Sequence, residues 1–281
     1  MPSLADRGFT LVEALVAMVL STLVVILVAS VFLVQNDFYA DSVARSGLNE
    51  NVRSAVSLVS SELRAVSFGG IVAAEPDSVV FRVPLAVGGV CAVNGTETFV
   101  LFPLGGEAVD PAEVSGYGVR DTDGEWTYTS ATWASVYGVS GGAAAQTCAL
   151  AGADTVGARN DFYRLDGLGA SPAIQPGDLV MIYQELVFRL ALSTLDSVST
   201  ALYRGPAGSP LTEYATGLSM DSAFEYQLVD RTPFIRRVTG GRLDRIAVIR
   251  LTALGVAASS RAGADSLSFQ LSVTIPLKNA N

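Results

Sequence analysis

The sequence predicts an α+β fold in which one long N-terminal helix packs on a C-terminal, antiparallel β-rich head. Three observations predict it. An uninterrupted apolar segment, residues 14–34, lies close to the first residue. Apolar positions then recur at spacings of four and three as far as Val66. Beyond Asp77 the chain breaks into short β-rich runs separated by pairs of turn residues.

The helix comes first. Residues 9–34 offer about 26 residues, which at ~1.5 Å each suffice to cross a ~30 Å hydrocarbon core. Leu, Val, Ile and Ala dominate, and no Lys, Arg or Pro interrupts. Glu13 is the single charge. An ionisable side chain in a spanning helix costs about 2.5–3.5 kcal/mol even on lenient insertion scales, so such a residue is a functional candidate. An ordinary secretory signal carries its cleavage site after the apolar core. Here Gly8 lies before it, so cutting after Gly8 keeps the apolar helix as the mature N-terminus. The cut also creates an α-amino group on Phe9, a cation that Glu13 of a neighbouring subunit can neutralise. Arg7 in the short leader favours a cytoplasmic N-terminus and a head on the other side of the membrane.

The run Gly8-Phe9-Thr10-Leu11-Val12-Glu13 before a long apolar helix resembles the processing motif of type IV prepilins and type II secretion pseudopilins. The resemblance implies a type IV pilin-like fold and a leader of residues 1–8. It implies a prepilin peptidase that cuts between Gly8 and Phe9 and N-methylates Phe9. Glu13 would guide docking into a filament of other major and minor pilins, at an inner-membrane assembly platform. Major pilins of the family usually carry a helix-breaking Gly or Pro in the apolar half. This chain has Thr22 and Ser30 there, which together with its length favours a minor pilin or pseudopilin.

The second half of the helix, residues 35–68, is amphipathic. Leu48, Val52, Val56, Val59, Leu63 and Val66 form one apolar face, with Arg45, Glu50, Arg53, Glu62 and Arg64 on others. No proline occurs between Pro2 and Pro76, so one helix from about Thr10 to Val66 is expected, stopped at Phe68-Gly69-Gly70. Gly47 is its weak point, costing about 1 kcal/mol relative to Ala.

The head, residues 69–281, should contain strands at 78–83, 98–102, 125–128, 162–165, 178–191, 223–229, 234–238, 245–251 and 266–275. The turn pairs are Gly88-Gly89, Asn94-Gly95, Gly105-Gly106, Asp123-Gly124, Asp166-Gly167 and Gly240-Gly241. Residues 105–158, rich in Gly, Ala, Ser and Thr, read as a long insertion. Residues 175–181, 211–226 and 272–279 loosely resemble PilW-type minor pilins, and J-type pseudopilins share the architecture.

Cys91 and Cys148 both fall in the exported region, where a disulfide suits the compartment and two free thiols are the alternative. A net charge of −9 and the lack of a basic cluster argue against nucleic-acid binding. The chain has no histidine, which removes Ser-His-Asp, Cys-His and His-containing zinc arrangements. The stretch 121–125 lacks the later ligands of a calcium loop, and Asp123-Gly124 reads as a hairpin turn. Glu107, Asp110 and Glu113 read as solvated loop charges. No catalytic residues, cofactor or metal are expected. The leading expectation is a non-enzymatic minor pilin of the bacterial inner membrane and pilus. The alternatives are a type II secretion pseudopilin and a membrane-tethered adhesin or binding module.

Overall fold

A computed structural model describes residues 10–67, 69–102, 109–120, 124–140, 142–152, 162–165, 168, 174–230, 233–258 and 266–277. Helix α1 runs unbroken from Leu11 to Leu63, 53 residues. Helix-forming Leu and Ala and the absence of Pro sustain it across Gly47. Thr22 Oγ1 and Ser30 Oγ turn back to the carbonyls of Met18 and Leu27 (2.8 Å each), so neither hydroxyl is stranded in the apolar half. The helix stops three residues before the expected Val66. Val66 stays buried just beyond it, and Gly69, at φ +76°, takes the left-handed conformation that turns the chain back.

The strands follow in chain order: β1 (Ile71–Ala74), β2 (Ser78–Asn94), β3 (Glu97–Leu101), β4 (Gly116–Arg120) and β5 (Trp126–Ser130). Helix α2 (Trp133–Val136), β6 (Tyr137–Ser140), helix α3 (Gly142–Leu150) and β7 (Phe162–Leu165) come next. The chain continues through β8 (Leu179–Leu192), β9 (Thr200–Pro206), β10 (Thr212–Leu218) and β11 (Ala223–Leu228). After a 3-10 turn at Gly240–Arg245 it closes with β12 (Ile246–Ala257) and β13 (Leu267–Pro276). Among the described residues every strand pairing is antiparallel, in one sheet ordered β11-β12-β10-β9-β8-β2-β3-β7-β6. β1 adds to β2, β13 to β12, and the β4–β5 hairpin to β8.

The long ribbon of β2 and β8 is the spine of the head. Its 78–83 half, with Phe81 stacked on Phe188 at 5.2 Å, belongs to the core beneath α1. Its other half, around Val90, Val180 and Ile182, belongs to a second core shared with β3, β4 and β7. The six stripe residues from Leu48 to Val66 are all buried, five of them, Val52 to Val66, in the first core. Each fully buried Val or Leu stabilises by roughly 1.5–3 kcal/mol relative to exposure, so this seat decides where the helix lies.

Three expectations are corrected. Residues 234–238 are not a strand. Ile235 and Val238 make only isolated bridges to Tyr226 and Ala74, because Pro233 precedes the run and Arg236 and Arg237 face solvent. Gly88-Gly89 is not a turn but lies inside β2. A Cβ on Gly88 would sit 2.4 Å from the Leu101 carbonyl oxygen, so glycine is required where β2 meets β3. Gly240-Gly241 opens the 3-10 turn and does not close a hairpin. Asn94-Gly95 does turn β2 into β3, with Gly95 at φ +64°, and Gly124, at φ +87°, lies between β4 and β5. Gly105-Gly106 and Asp166-Gly167 lie outside the described residues, as does Phe68. The 105–158 stretch supplies β4, β5, α2, β6 and α3, and its β4 hydrogen-bonds to β8 in the main sheet.

Candidate functional site

Among the described residues nothing covers the apolar half of α1. Every large apolar side chain from Leu11 to Val34 is 52–81 % exposed, a continuous surface far larger than water-facing proteins tolerate. By length and composition this helix can cross a membrane. The sequence reason is simple: an all-round apolar segment has no polar face to turn outward.

Gly8 and Phe9, the residues of the expected cut and methylation, lie outside the described residues. Thr10 and Glu13 are described, and the helix start brings them together. Thr10 caps α1: its Oγ1 accepts from the backbone N–H of Glu13 at 3.2 Å and donates to Glu13 Oε2 at 3.5 Å. Thr10 and Glu13 are therefore the Ncap and third helical residue of a capping-box spacing, a signal present in the sequence as Thr-x-x-Glu. The arrangement places the carboxylate at the positive end of the helix dipole. Among the described residues Glu13 has no ion-pair partner, which leaves it available to a cation from another chain.

The seat of the stalk on the head is the second part of the site. Asn51 Nδ2 donates to the Thr216 carbonyl on β10 (3.4 Å), and Arg204 Nε on β9 donates to Glu62 Oε1 at 2.7 Å. Gly255 on β12 lies directly under Leu48 and Val52. No local sequence signal marks these contacts, because each joins residues more than a hundred positions apart.

Arg82, on β2, lies against two tyrosines. Its guanidinium carbon lies 4.4 Å from the Tyr128 ring centroid and 5.2 Å from that of Tyr183. Its Nε is 3.3 Å from Glu185 Oε1, an ion-pair distance without hydrogen-bond alignment. Burial pushes the Tyr128 hydroxyl up to about 12, against the pull of Arg82, and raises Tyr183 for the same reason. Burial, reinforced by Glu75 and Asp77, raises Tyr226 further; its hydroxyl donates to the Glu75 carbonyl at 2.8 Å.

Cys91 on β2 and Cys148 on α3 are bonded, with Cα atoms 5.4 Å apart. The bond fastens α3, whose Ala144 and Ala145 are buried, to the edge of the spine. Asp110 Oδ1 accepts from the Ala112 N–H (2.9 Å), closing its own loop, and Glu113 is exposed. Glu107 and residues 121–123 of the calcium-loop look-alike lie outside the described residues. Among the described residues no three His, Cys, Asp or Glu side chains gather as metal ligands.

The prokaryotic N-terminal methylation motif matches residues 4–29 of the chain. That match spans Gly8, Phe9 and Glu13 together with most of the apolar half of α1. It supports a type IV pilin-like protein, one processed by a prepilin peptidase and assembled with other pilins. No curated protein and no solved structure matches the chain.

Proposed function

We propose that this chain is a minor type IV pilin, a structural subunit that acts in pilus initiation or assembly after leader cleavage and N-methylation of Phe9. The observation that carries the reading is the methylation motif continuing into the exposed apolar half of the unbroken helix α1, where Glu13 is the only charge. The helix holds the subunit in the inner membrane, head outward, until the assembly platform extracts it. The carboxylate of Glu13, held by Thr10 at the first turn, meets the Phe9 amine of a neighbour and fixes the axial register of the two helices. Charge-assisted contacts of this kind are short and roughly twice as strong as neutral ones. The unbroken run of α1 past Thr22 and Ser30 supports a minor subunit over a bulk one. A J-type pseudopilin shares every feature named and serves a secretion machine.

Glu13→Gln tests the mechanism. Membrane insertion should be unchanged or better, because a charge leaves the apolar helix. Recovery of the subunit in sheared pili, relative to its membrane pool, should fall by tenfold or more. Wild-type recovery would remove the docking role and leave the helix as a tether.

A further inference from the structure

We propose that the β8–β9 and β10–β11 loops of the head rest in the headgroup layer of the membrane that holds α1, as a lipid-contacting foot. The inference rests on α1 being membrane-held, and it adds a second contact between this chain and the bilayer.

Three observations carry it. Position is the first. The β9–β10 hairpin lies against α1, with Asn51 bonded to Thr216 on β10 near one end and Glu62 to Arg204 on β9 near the other. Thr200 pairs with Leu218, and Gly217 N–H donates to Ser199 Oγ (3.2 Å). Both loops therefore project from the end of the sheet where the apolar half of α1 departs. The exposed Phe38 and Tyr39 on α1 suit the lipid–water boundary, where aromatic side chains collect. From Tyr39 to Asn51 is about 18 Å along the helix axis. The loop of residues 193–199 extends beyond the Thr200–Leu218 pair on that side, and an ordinary helix tilt of about 20° brings it closer to the boundary.

Exposure is the second. Leu195, Val198 and Met220 are 80 %, 81 % and 84 % exposed, and all three sit in these two loops. The register that pairs Thr200 with Leu218 puts both loops at the same end of β9 and β10, so the three apolar side chains are presented at one end of the sheet.

Construction is the third. The β8–β9 loop spends its polar groups on itself. Asp196 accepts from the N–H groups of Val198 and Ser199 (2.9 Å each) and from Ser199 Oγ (2.5 Å). Glu213 accepts from Thr194 N–H (3.0 Å), Thr194 Oγ1 (2.6 Å), Ser193 Oγ (2.5 Å) and Tyr203 OH (3.1 Å). Ser197 is the sole described non-glycine residue at positive φ (54°), a strained conformation between the two apolar tips. A loop whose hydroxyls at Ser193, Thr194 and Ser199 are tied to Asp196 and Glu213, with Leu195 and Val198 outward, is suited to the headgroup layer. Its acidic character points to zwitterionic lipid.

The test uses the full chain in phosphatidylcholine–phosphatidylethanolamine nanodiscs. Single nitroxide labels go on Leu195→Cys, Val198→Cys and Met220→Cys, with Cys91 and Cys148 left bonded. Val24→Cys marks the bilayer interior, and Ser209→Cys, in the β9–β10 turn at the opposite end of the strands, marks water. Collision with an aqueous nickel chelate should fall at least threefold at the three loop positions relative to Ser209, with oxygen access retained. Loop labels as open to nickel as Ser209, beside a lipid-buried Val24, overturn the foot and leave the membrane helix standing. An aqueous Val24 overturns both. Labels that are aqueous in the bilayer but shielded in assembled filaments assign the surface to a neighbouring subunit, and also overturn it.

Discussion

A Cβ placed on Gly255 would lie 2.7 Å from Cγ2 of Val52 and 2.9 Å from Cγ and Cδ1 of Leu48. The backbone of β12 thus approaches the stalk helix more closely than any side chain allows, and glycine sets the depth at which α1 sits.

Gly255→Ala should therefore destabilise the chain by about 1–3 kcal/mol through overpacking, despite the better strand propensity of alanine. Val52→Ala alone should also destabilise, by opening a cavity. The double variant should lose less than the sum, with a coupling of at least about 0.5 kcal/mol. Urea unfolding in detergent measures all three, and strict additivity would show that the close approach carries no energy.

Arg204→Ala should destabilise the join between stalk and head. Glu62 Oε2 is already buried without a partner, and the substitution strips Oε1 of its guanidinium as well. The Arg204 side chain is 39 % exposed, so solvent screening holds the loss to about 1 kcal/mol. Arg204→Ala/Glu62→Leu should recover most of it, as hydrogen exchange at the last turn of α1 would report.

Reducing the bond between Cys91 and Cys148 should release α3 from β2. The sequence separation of 57 gives a loop-closure contribution of about 4 kcal/mol in the chain-entropy model. In unfolded, non-reduced protein neither thiol should react with an alkylating reagent. Modification of both would contradict the bond.

Alkaline pH should weaken the packing around Tyr128 in a defined window. Tyr128 has its folded pKa raised from 10.0 to about 12, so the folded state holds this proton more tightly than the unfolded chain. Its contribution is fully present below about 10 and is lost as pH rises from 10 towards 12. Tyr128→Phe should flatten that part of the stability profile. At neutral pH it should cost little, because the buried hydroxyl has no hydrogen-bond partner to lose. An unchanged alkaline slope in the variant would contradict the assignment.

The helix was legible because its signals are local: an all-apolar run, then six apolar residues at helical spacing, all six of which are buried. Strands β3 and β7 were legible from β-branched or aromatic residues beside turn pairs, and β13 from the alternation of apolar and polar residues over Leu267–Val273. β1, β4, β6, β9 and β10 were not: Gly116–Arg120 and Thr200–Pro206 carry glycines and few large apolar side chains and become strands by pairing along β8, and Thr212–Leu218 by pairing with β9. Gly88-Gly89 misled for the converse reason: the glycines answer a close approach to β3, which only the fold reveals. At the site, Glu13 stood out as a lone charge. The Arg204–Glu62 and Arg82–Tyr128 contacts depend on distant partners and leave no local trace.

The central claim is that the chain is cut and methylated to become a filament subunit, and N-terminal mass spectrometry of the membrane-extracted protein tests it most directly. The account predicts a mature chain that begins at Phe9 and carries one N-terminal methyl group, with residues 1–8 absent. An intact N-terminus starting at Met1, from cells with an active prepilin peptidase, would contradict it.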